Sequence, residues 1–267
     1  MSIPSGINSH QSHHVNWVKS LRYPSIYLIL IAAAEAVTGI FLYWGIAIHF
    51  AILAALLAHS VFVTEKSLSD FLASMTIAPL TRIFSLTTPL THFSHLSWFM
   101  IISIPVFVAA FTIAHVQKVS AREMFLSRPK LHHLRIDIGI IILAFPISIL
   151  EYLILQPSPM VEFGFPALLA PSLLLIVCTG FLEEMIFRGL MQHNAERLAG
   201  FQGIVFVSVL FGALHITNLV FWDALLAGGV GFLFALVVRR TGSIWGVSVS
   251  HGCVNIMLFL IAPYLLV

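Results

Sequence analysis

The sequence predicts an all-α fold, a polytopic transmembrane helix bundle of about 8 or 9 spans. Hydrophobic residues make up 59% of the chain and charged residues only 9%, whereas soluble domains hold roughly 25% charged residues. The mean hydropathy is +1.01, and the apolar residues fall into runs of about 20, the length that crosses the hydrocarbon core. The formal charge of +2 comes without a basic stripe, so we expect a lipid bilayer and no nucleic acid around this chain.

Nine apolar windows give the candidate spans in order. They lie at residues 25–46, 47–63, 70–88, 97–114, 136–156, 167–190, 203–217, 222–238 and 244–266. The third window contains Arg82 and Pro79, so a tilted or interfacial helix is the alternative there. The seventh window is short, and we expect its helix to lean or to begin before Phe201.

Lysine and arginine residues gather in alternate loops of this map. They precede span one, follow spans two, six and eight, and fill the polar insert 115–135, which is either an amphipathic helix or a plain connecting loop. Because such residues mark the cytoplasmic side, we expect a multi-pass protein of a prokaryotic plasma membrane with a cytoplasmic N-terminus. The first run is too long for a cleaved signal peptide, so it is interpreted as a retained span.

Charged and polar side chains inside the spans mark candidate functional positions, because a charge at the bilayer centre costs roughly 2.5 to 3.5 kcal/mol on insertion scales. Three spans hold such clusters. They are Glu183, Glu184 and Arg188 in "GFLEEMIFRGL", His215 in "FGALHITN", and His251 with Asn255 in "SVSHGCVN". At about 100° per residue, each helix presents one polar stripe. We expect the stripes to meet in one chamber that opens to the cytoplasmic side.

Glu184 and Arg188 have i, i+4 spacing, so they form either a neutralising pair that locks helices together or part of the reacting site. One arginine does not neutralise two carboxylates, which leaves Glu183 as the candidate for water chemistry. Other intramembrane polar residues are interpreted as structural. These are Glu35 and Glu151 as isolated residues, Asp223 as a helix start, His49 as interfacial, and Cys178 and Cys253 as small core residues.

A glutamate and a histidine that face a wet pocket can deprotonate water, and a second histidine with an asparagine can stabilise the oxyanion of a tetrahedral intermediate. This combination suits peptide hydrolysis. Alternatively, Glu183, His215 and His251 are candidates to bind a divalent metal such as zinc, with the other glutamate as base. A G-x-S-x-G nucleophile motif is absent from the sequence, which disfavours covalent catalysis.

The three motifs, taken together and in this order, resemble those of the CPBP family, the CAAX-processing and bacteriocin-processing (Abi) intramembrane proteases. The matching pattern is Glu183 and Glu184, three intervening residues and Arg188; then Phe211, three intervening residues and His215; then His251, three intervening residues and Asn255. The resemblance covers about residues 165–267 as a catalytic core. It leaves residues 1–24 as a cytoplasmic tail, with His10, His13 and His14 solvated, and residues 25–164 as N-terminal transmembrane helices.

The resemblance implies a cytoplasm-facing endopeptidase of membrane-associated proteins or peptides. In it, Glu183 assisted by His215 activates water, His251 and Asn255 stabilise the oxyanion, and Glu184 with Arg188 orients the site. The family is often described as metalloproteases, and a metal-free mechanism is the alternative, so the cofactor is a divalent metal or none. A non-enzymatic membrane carrier and a bacteriocin-immunity or binding protein remain alternatives that use the same cavity.

Overall fold

The computed structural model describes residues 17–90 and 93–266, and in this part of the chain it is helical without a strand. Eight of its helices are long and apolar enough to cross a membrane, which confirms the predicted fold class. Helices suit such sequences because in lipid every backbone N–H and C=O group needs a partner within the chain. The tail histidines His10, His13 and His14 lie outside the described residues.

The N-terminal part holds six helices, preceded by a single turn at Trp17–Ser20. They are α1 (Arg22–Ile40), α2 (Leu42–Phe62), α3 (Lys66–Met75), α4 (Ile77–Thr87), α5 (His95–Gln117) and α6 (Leu134–Leu155). Side chains on their outer faces, such as Phe62 and Ile142, are apolar and exposed. These faces therefore suit contact with lipid rather than with water.

The C-terminal part holds four long helical segments. They are α7 (Phe165–Ala199), α8 (Phe201–Ala213), α9 (Phe221–Thr241) and α10 (Trp245–Leu265). Gly200 separates α7 from α8 with a φ of 59°, a backbone angle that glycine adopts without steric cost. The seventh predicted span therefore begins at Phe201 and not before it.

The third predicted span is wrong as a single helix, because residues 66–87 form the two short helices α3 and α4 with a break at Thr76. Hydrogen bonds nevertheless place this pair alongside α5. The carbonyl oxygen of Asp70 accepts from Nε2 of Gln117 at 2.8 Å, and that of Thr88 accepts from Nε1 of Trp98 at 3.2 Å. The pair thus runs antiparallel to α5 along its length, although neither helix alone has spanning length.

The polar insert between α5 and α6 forms turns and a loop rather than an amphipathic helix. Ser120 and Glu123 hold one turn together, since the Ser120 amide donates to Oε2 of Glu123 at 2.8 Å and the Glu123 amide donates to Oγ of Ser120 at 3.3 Å. The hydrogen bonds from Ser120 lower the pKa of the Glu123 carboxyl group. The connecting-loop interpretation of this segment is therefore the right one.

Helices α7 and α10 approach closely at two glycines. A Cβ atom added to Gly180 would lie 2.7 Å from the amide nitrogen of Gly252, and one added to Gly252 would lie 2.8 Å from Cα of Ile176. Small residues at membrane helix contacts let backbones come together in this way. The close contact brings the polar residues of α7 next to those of α10.

Candidate active site

Glu183 and Glu184 lie in α7 at Leu182–Glu184, between two π-helical turns at Ile176–Phe181 and Met185–Met191. Such turns are rare and occur frequently at functional sites. The prediction that both carboxylates lie in one polar stripe assumed a uniform 100° per residue. In the structure, the two carboxylates have different surroundings. The Glu184 side chain is 0% exposed and the Glu183 side chain is 37% exposed.

Glu184 is held in the core by two partners from different helices. Its Oε1 atom lies 3.2 Å from Nη1 of Arg188, one turn further along α7. The same oxygen lies 2.8 Å from Nδ1 of His251 on α10. Glu184 therefore links the polar residues of α7 and α10.

Arg188 is almost completely enclosed, with 1% of its side chain exposed. Its guanidinium carbon lies 4.4 Å from the ring centroid of Phe211 and 5.8 Å from those of Phe187 and Phe234. Aromatic faces attract a cation, and more strongly where water is excluded. Phe211, which the motif placed four residues before His215, therefore forms a wall of the arginine site.

His215 lies two residues after the end of α8 and is oriented by that helix. Its Nδ1 atom lies 2.9 Å from the carbonyl oxygen of Phe211. A carbonyl oxygen only accepts hydrogen bonds, so Nδ1 carries the proton, and in the neutral ring Nε2 is left as an acceptor. The imidazole lines both internal cavities together with Glu183.

His251 and Asn255 lie one turn apart on α10. With Nδ1 of His251 bonded to Glu184, its Nε2 atom lies 3.8 Å from Oε2 of Glu183. The Asn255 side chain donates from Nδ2 to Oγ1 of Thr179 on α7 at 2.8 Å, and that hydroxyl donates to the carbonyl oxygen of Leu175 at 2.5 Å. Thr179 is a site residue that the motif analysis missed.

Two adjoining cavities, of about 270 and 310 Å³, contain the predicted residues. The first is lined by α4, α5, α7 and α8, and the second adds α6, α9 and α10. Glu183 and His215 line both cavities, and His251 and Asn255 line the second. The structure thus brings four of the six predicted residues to a shared space, while Glu184 and Arg188 lie behind its wall.

The cavities extend away from the basic loops. Their lining includes Trp98 at the start of α5, Leu155 at the end of α6 and Phe259 near the end of α10. The basic residues Lys118 and Arg135 lie at the opposite ends of α5 and α6. This placement differs from the expected chamber that opens to the side of the basic loops.

The geometry of the proposed metal ligands does not fit a metal ion. A catalytic zinc site takes three protein ligands, and among the described residues no group of three His, Cys, Asp or Glu side chains is arranged to hold a metal. We therefore derive no step through a metal.

Three residues that the sequence placed in structural roles have different surroundings. Glu151 is not isolated, because it lines the second cavity with Glu183 and His251. Glu35 is not isolated either, since its carboxylate pairs with Arg82, which lines both cavities. His49 is buried beside Glu35 and not interfacial. Side chains 47 positions apart, such as Glu35 and Arg82, have no shared local pattern that reveals the pairing.

Eight apolar helices, with polar side chains at two partly open cavities between them, define this chain as a multi-pass membrane protein with a candidate active site. Residues 165–257 match the family model described as type II CAAX prenyl endopeptidase Rce1-like. The match includes all three motifs, confirms the resemblance to the CPBP intramembrane protease family and supports a membrane protease in general. No curated protein and no solved structure was found to match the chain.

Proposed function

We propose that the chain is an intramembrane endopeptidase in which Glu183 activates water to hydrolyse a peptide bond of a membrane-associated protein or peptide. The observation that supports this best is the contrast between two adjacent carboxylates. Glu183 is partly exposed and shares both cavities with His215, whereas Glu184 is buried between Arg188 and His251. This contrast supports Glu183 as the carboxylate that meets water and substrate.

In the first step, a water molecule between the Glu183 carboxylate and Nε2 of His215 attacks the peptide carbonyl carbon. The carboxylate takes the proton that the water loses, as a general base does. Because Nδ1 of His215 donates its proton to the Phe211 carbonyl oxygen, Nε2 accepts a hydrogen bond from the water and orients it. The products of this step are a tetrahedral intermediate with an oxyanion and a protonated Glu183.

In the second step, the carbon–nitrogen bond breaks and the proton on Glu183 passes to the leaving amide nitrogen. The oxyanion accepts hydrogen bonds from Asn255, whose second Nδ2 proton is free of Thr179, and from Nε2 of His251 in its doubly protonated form. Preorganised donors of this kind stabilise charge that develops in a low-dielectric site. Glu184 and Arg188 hold His251 in place and do not contact the substrate.

The first cavity favours an apolar substrate segment. Its wall on α5 consists of Trp98, Phe99, Ile102 and Val106 with the small polar Ser103. A peptide with apolar side chains near the cleaved bond, or a lipid-modified one, suits this wall through the hydrophobic effect. The name of the matched family model points to prenylated peptides, so both peptide classes belong in the assay.

The test uses the full chain in liposomes with fluorogenic peptides, each prepared unmodified and with a prenylated cysteine. We expect Glu183→Gln and His215→Ala each to lower turnover by about 10²- to 10⁴-fold, the range for loss of a general acid–base group. Glu162→Gln, an exposed glutamate in the loop before α7, is the matched control. Undiminished cleavage by both site variants would rule the proposal out and favour a carrier or binding protein.

Metal dependence is measured on the same preparations. Elemental analysis of the purified protein, repeated for His215→Ala and His251→Ala, reports whether a metal binds at these residues. We expect that the purified protein holds no metal ion that is lost in both variants. We also expect that a chelator does not lower turnover. Stoichiometric zinc that is lost in both variants would overturn the water-only form of the mechanism.

A further inference from the structure

An ion pair buried in the N-terminal half lies directly against the segment that carries His215. Nε of Arg82 on α4 donates to Oε1 and Oε2 of Glu35 on α1, at 2.7 and 2.8 Å, and Nη2 donates to Oε2 at 2.5 Å. Glu35 is completely buried, and Arg82 is 23% exposed. A planar guanidinium that meets a carboxylate through two nitrogens is a strong and directional contact.

Both members of this pair also bind the main chain or side chains around His215. Nη2 of Arg82 donates to the carbonyl oxygen of Leu214 at 2.7 Å. The hydroxyl group of Thr217 contacts the carboxylate of Glu35 and lies 3.2 Å from its carbonyl oxygen. The residue before His215 and the second residue after it are therefore both held by one ion pair.

This segment needs an external support because α8 ends at Ala213 and a 3₁₀ turn, Ile216–Asn218, follows. His215 thus lies between two helical elements, where α-helical hydrogen bonds give way to shorter-range ones: its amide donates to the Gly212 carbonyl oxygen at 3.0 Å, and its own carbonyl oxygen accepts from the Asn218 amide at 3.2 Å. Its own ring contact, Nδ1 to the Phe211 carbonyl oxygen, sets the tautomer but does not fix the backbone. The contacts from Glu35 and Arg82 supply that support from outside the C-terminal core.

We propose that the Glu35–Arg82 ion pair is a positioning device that holds the backbone around His215 so that the imidazole faces Glu183. This inference rests on the proposed role of His215 in water activation. It assigns a function to the N-terminal helices, which carry none of the three motifs. A misplacement of about 1 Å in a catalytic group can cost about 10² in rate, so an indirect contact of this kind matters for catalysis.

The test compares Arg82→Met, Arg82→Lys and Thr217→Val with His215→Ala, singly and in double variants, measured as kcat and KM. We expect Arg82→Met to lower kcat by about 10- to 100-fold with KM nearly unchanged. Arg82→Lys keeps the positive charge but has only one side-chain nitrogen, so its kcat should lie between those of the wild type and Arg82→Met. In the His215→Ala background, Arg82→Met should cause no further loss of kcat.

Thr217→Val separates positioning from direct substrate binding, because Arg82 lines the cavities and Thr217 is not among their lining residues. We expect Thr217→Val to lower kcat in the same direction as Arg82→Met. An increase in KM for Arg82→Met with normal kcat, and no effect of Thr217→Val, would instead make Arg82 a binding site for an anionic substrate group. That result would overturn the positioning role and leave the proposed peptidase activity standing.

Gln117→Met provides the stability control. Gln117 donates to the carbonyl oxygen of Asp70 at 2.8 Å and accepts from Nδ2 of Asn194 at 2.8 Å. These bonds also join the N-terminal helices to α7, but they lie away from both cavities. Gln117→Met should lower thermal stability without changing kcat of the folded protein. An equal loss of kcat in Gln117→Met and Arg82→Met would show a general loss of packing and contradict the proposal.

Discussion

Oε1 of Glu184 lies 2.8 Å from Nδ1 of His251, although 67 positions separate the two residues in the chain. The same oxygen also binds Arg188, so this carboxylate is occupied from two directions. Its neighbour Glu183 remains partly exposed beside the cavities. The two adjacent glutamates therefore have different surroundings, and we expect them to respond differently to the same substitution.

Glu183→Leu and Glu184→Leu should therefore have opposite profiles. Glu183→Leu should abolish turnover with little change in stability, because its side chain reaches the cavity. Glu184→Leu should lower the free energy of unfolding by about 3–5 kcal/mol, the cost of leaving a buried charge without its partner. Denaturant unfolding and turnover measured on both variants check this prediction, and a larger loss of stability in Glu183→Leu would contradict it.

Arg188 and Glu184 should show strong energetic coupling. Arg188→Met removes one of the two partners of Glu184, and Glu184→Leu leaves the buried Arg188 without its carboxylate, whereas the double variant removes both charges. We expect the double variant to lose less stability than the sum of the single losses, with a coupling energy of about 1–3 kcal/mol. The pair Arg188→Met and Glu162→Gln should be additive to within about 0.5 kcal/mol. If the stability losses of Arg188→Met and Glu184→Leu were simply additive in the double variant, this would contradict an ion pair between the two residues.

Thr179 should influence catalysis through Asn255. Asn255→Leu removes a proposed oxyanion donor, so kcat should fall by about 10²- to 10³-fold. Thr179→Val removes only the acceptor that orients the amide, so we expect a loss on the order of tenfold, the value of one hydrogen bond. Thr112→Val is the matched control, because its hydroxyl also bonds the carbonyl oxygen four residues earlier but lies on an exposed face of α5. Equal effects of the two threonine variants would contradict the prediction.

Gly180→Ala should disturb both stability and activity. The new Cβ atom would lie 2.5 Å from the carbonyl oxygen of Ser248 and 2.7 Å from the amide nitrogen of Gly252, so α7 and α10 would have to separate. Overpacking of this kind costs about 1–3 kcal/mol, and the separation would move His251 away from Glu184. Gly139→Ala, where the added atom meets nothing within 4 Å, should retain full activity. Unfolding midpoints and turnover test both variants.

The side from which the first cavity is reached can be measured by thiol labelling. In a Cys178→Ala, Cys253→Ala background, we expect Ser85→Cys to react with an impermeant reagent added on the side opposite the 118–130 loop. Ser85 lines the first cavity, which extends toward that end of the bundle. Ser120→Cys, on the exposed loop, should react from the loop side. Labelling of both positions from the same side only would contradict the cavity direction seen here.

Local sequence features account for the helices and for the identity of the site residues. Runs of apolar residues predict the spans, since the 1.5 Å rise per residue relates run length directly to bilayer thickness. The window at 70–88 was the exception, because a break at Thr76 divides it into α3 and α4. Its Arg82 belongs to an internal ion pair with Glu35 that no local pattern contains. The polar residues were identified because a charge in an apolar span is costly and needs a reason.

The sequence by itself determined that this chain is a helical membrane protein, and it identified the six polar residues of the candidate site. The tertiary structure decided which glutamate faces the cavity, that Thr179 accepts a hydrogen bond from Asn255, and that Arg82 and Glu35 bind the residues on either side of His215. Helical periodicity is a local property that places side chains on a face. Which face meets water, another helix or a buried partner depends on packing between segments far apart in the chain.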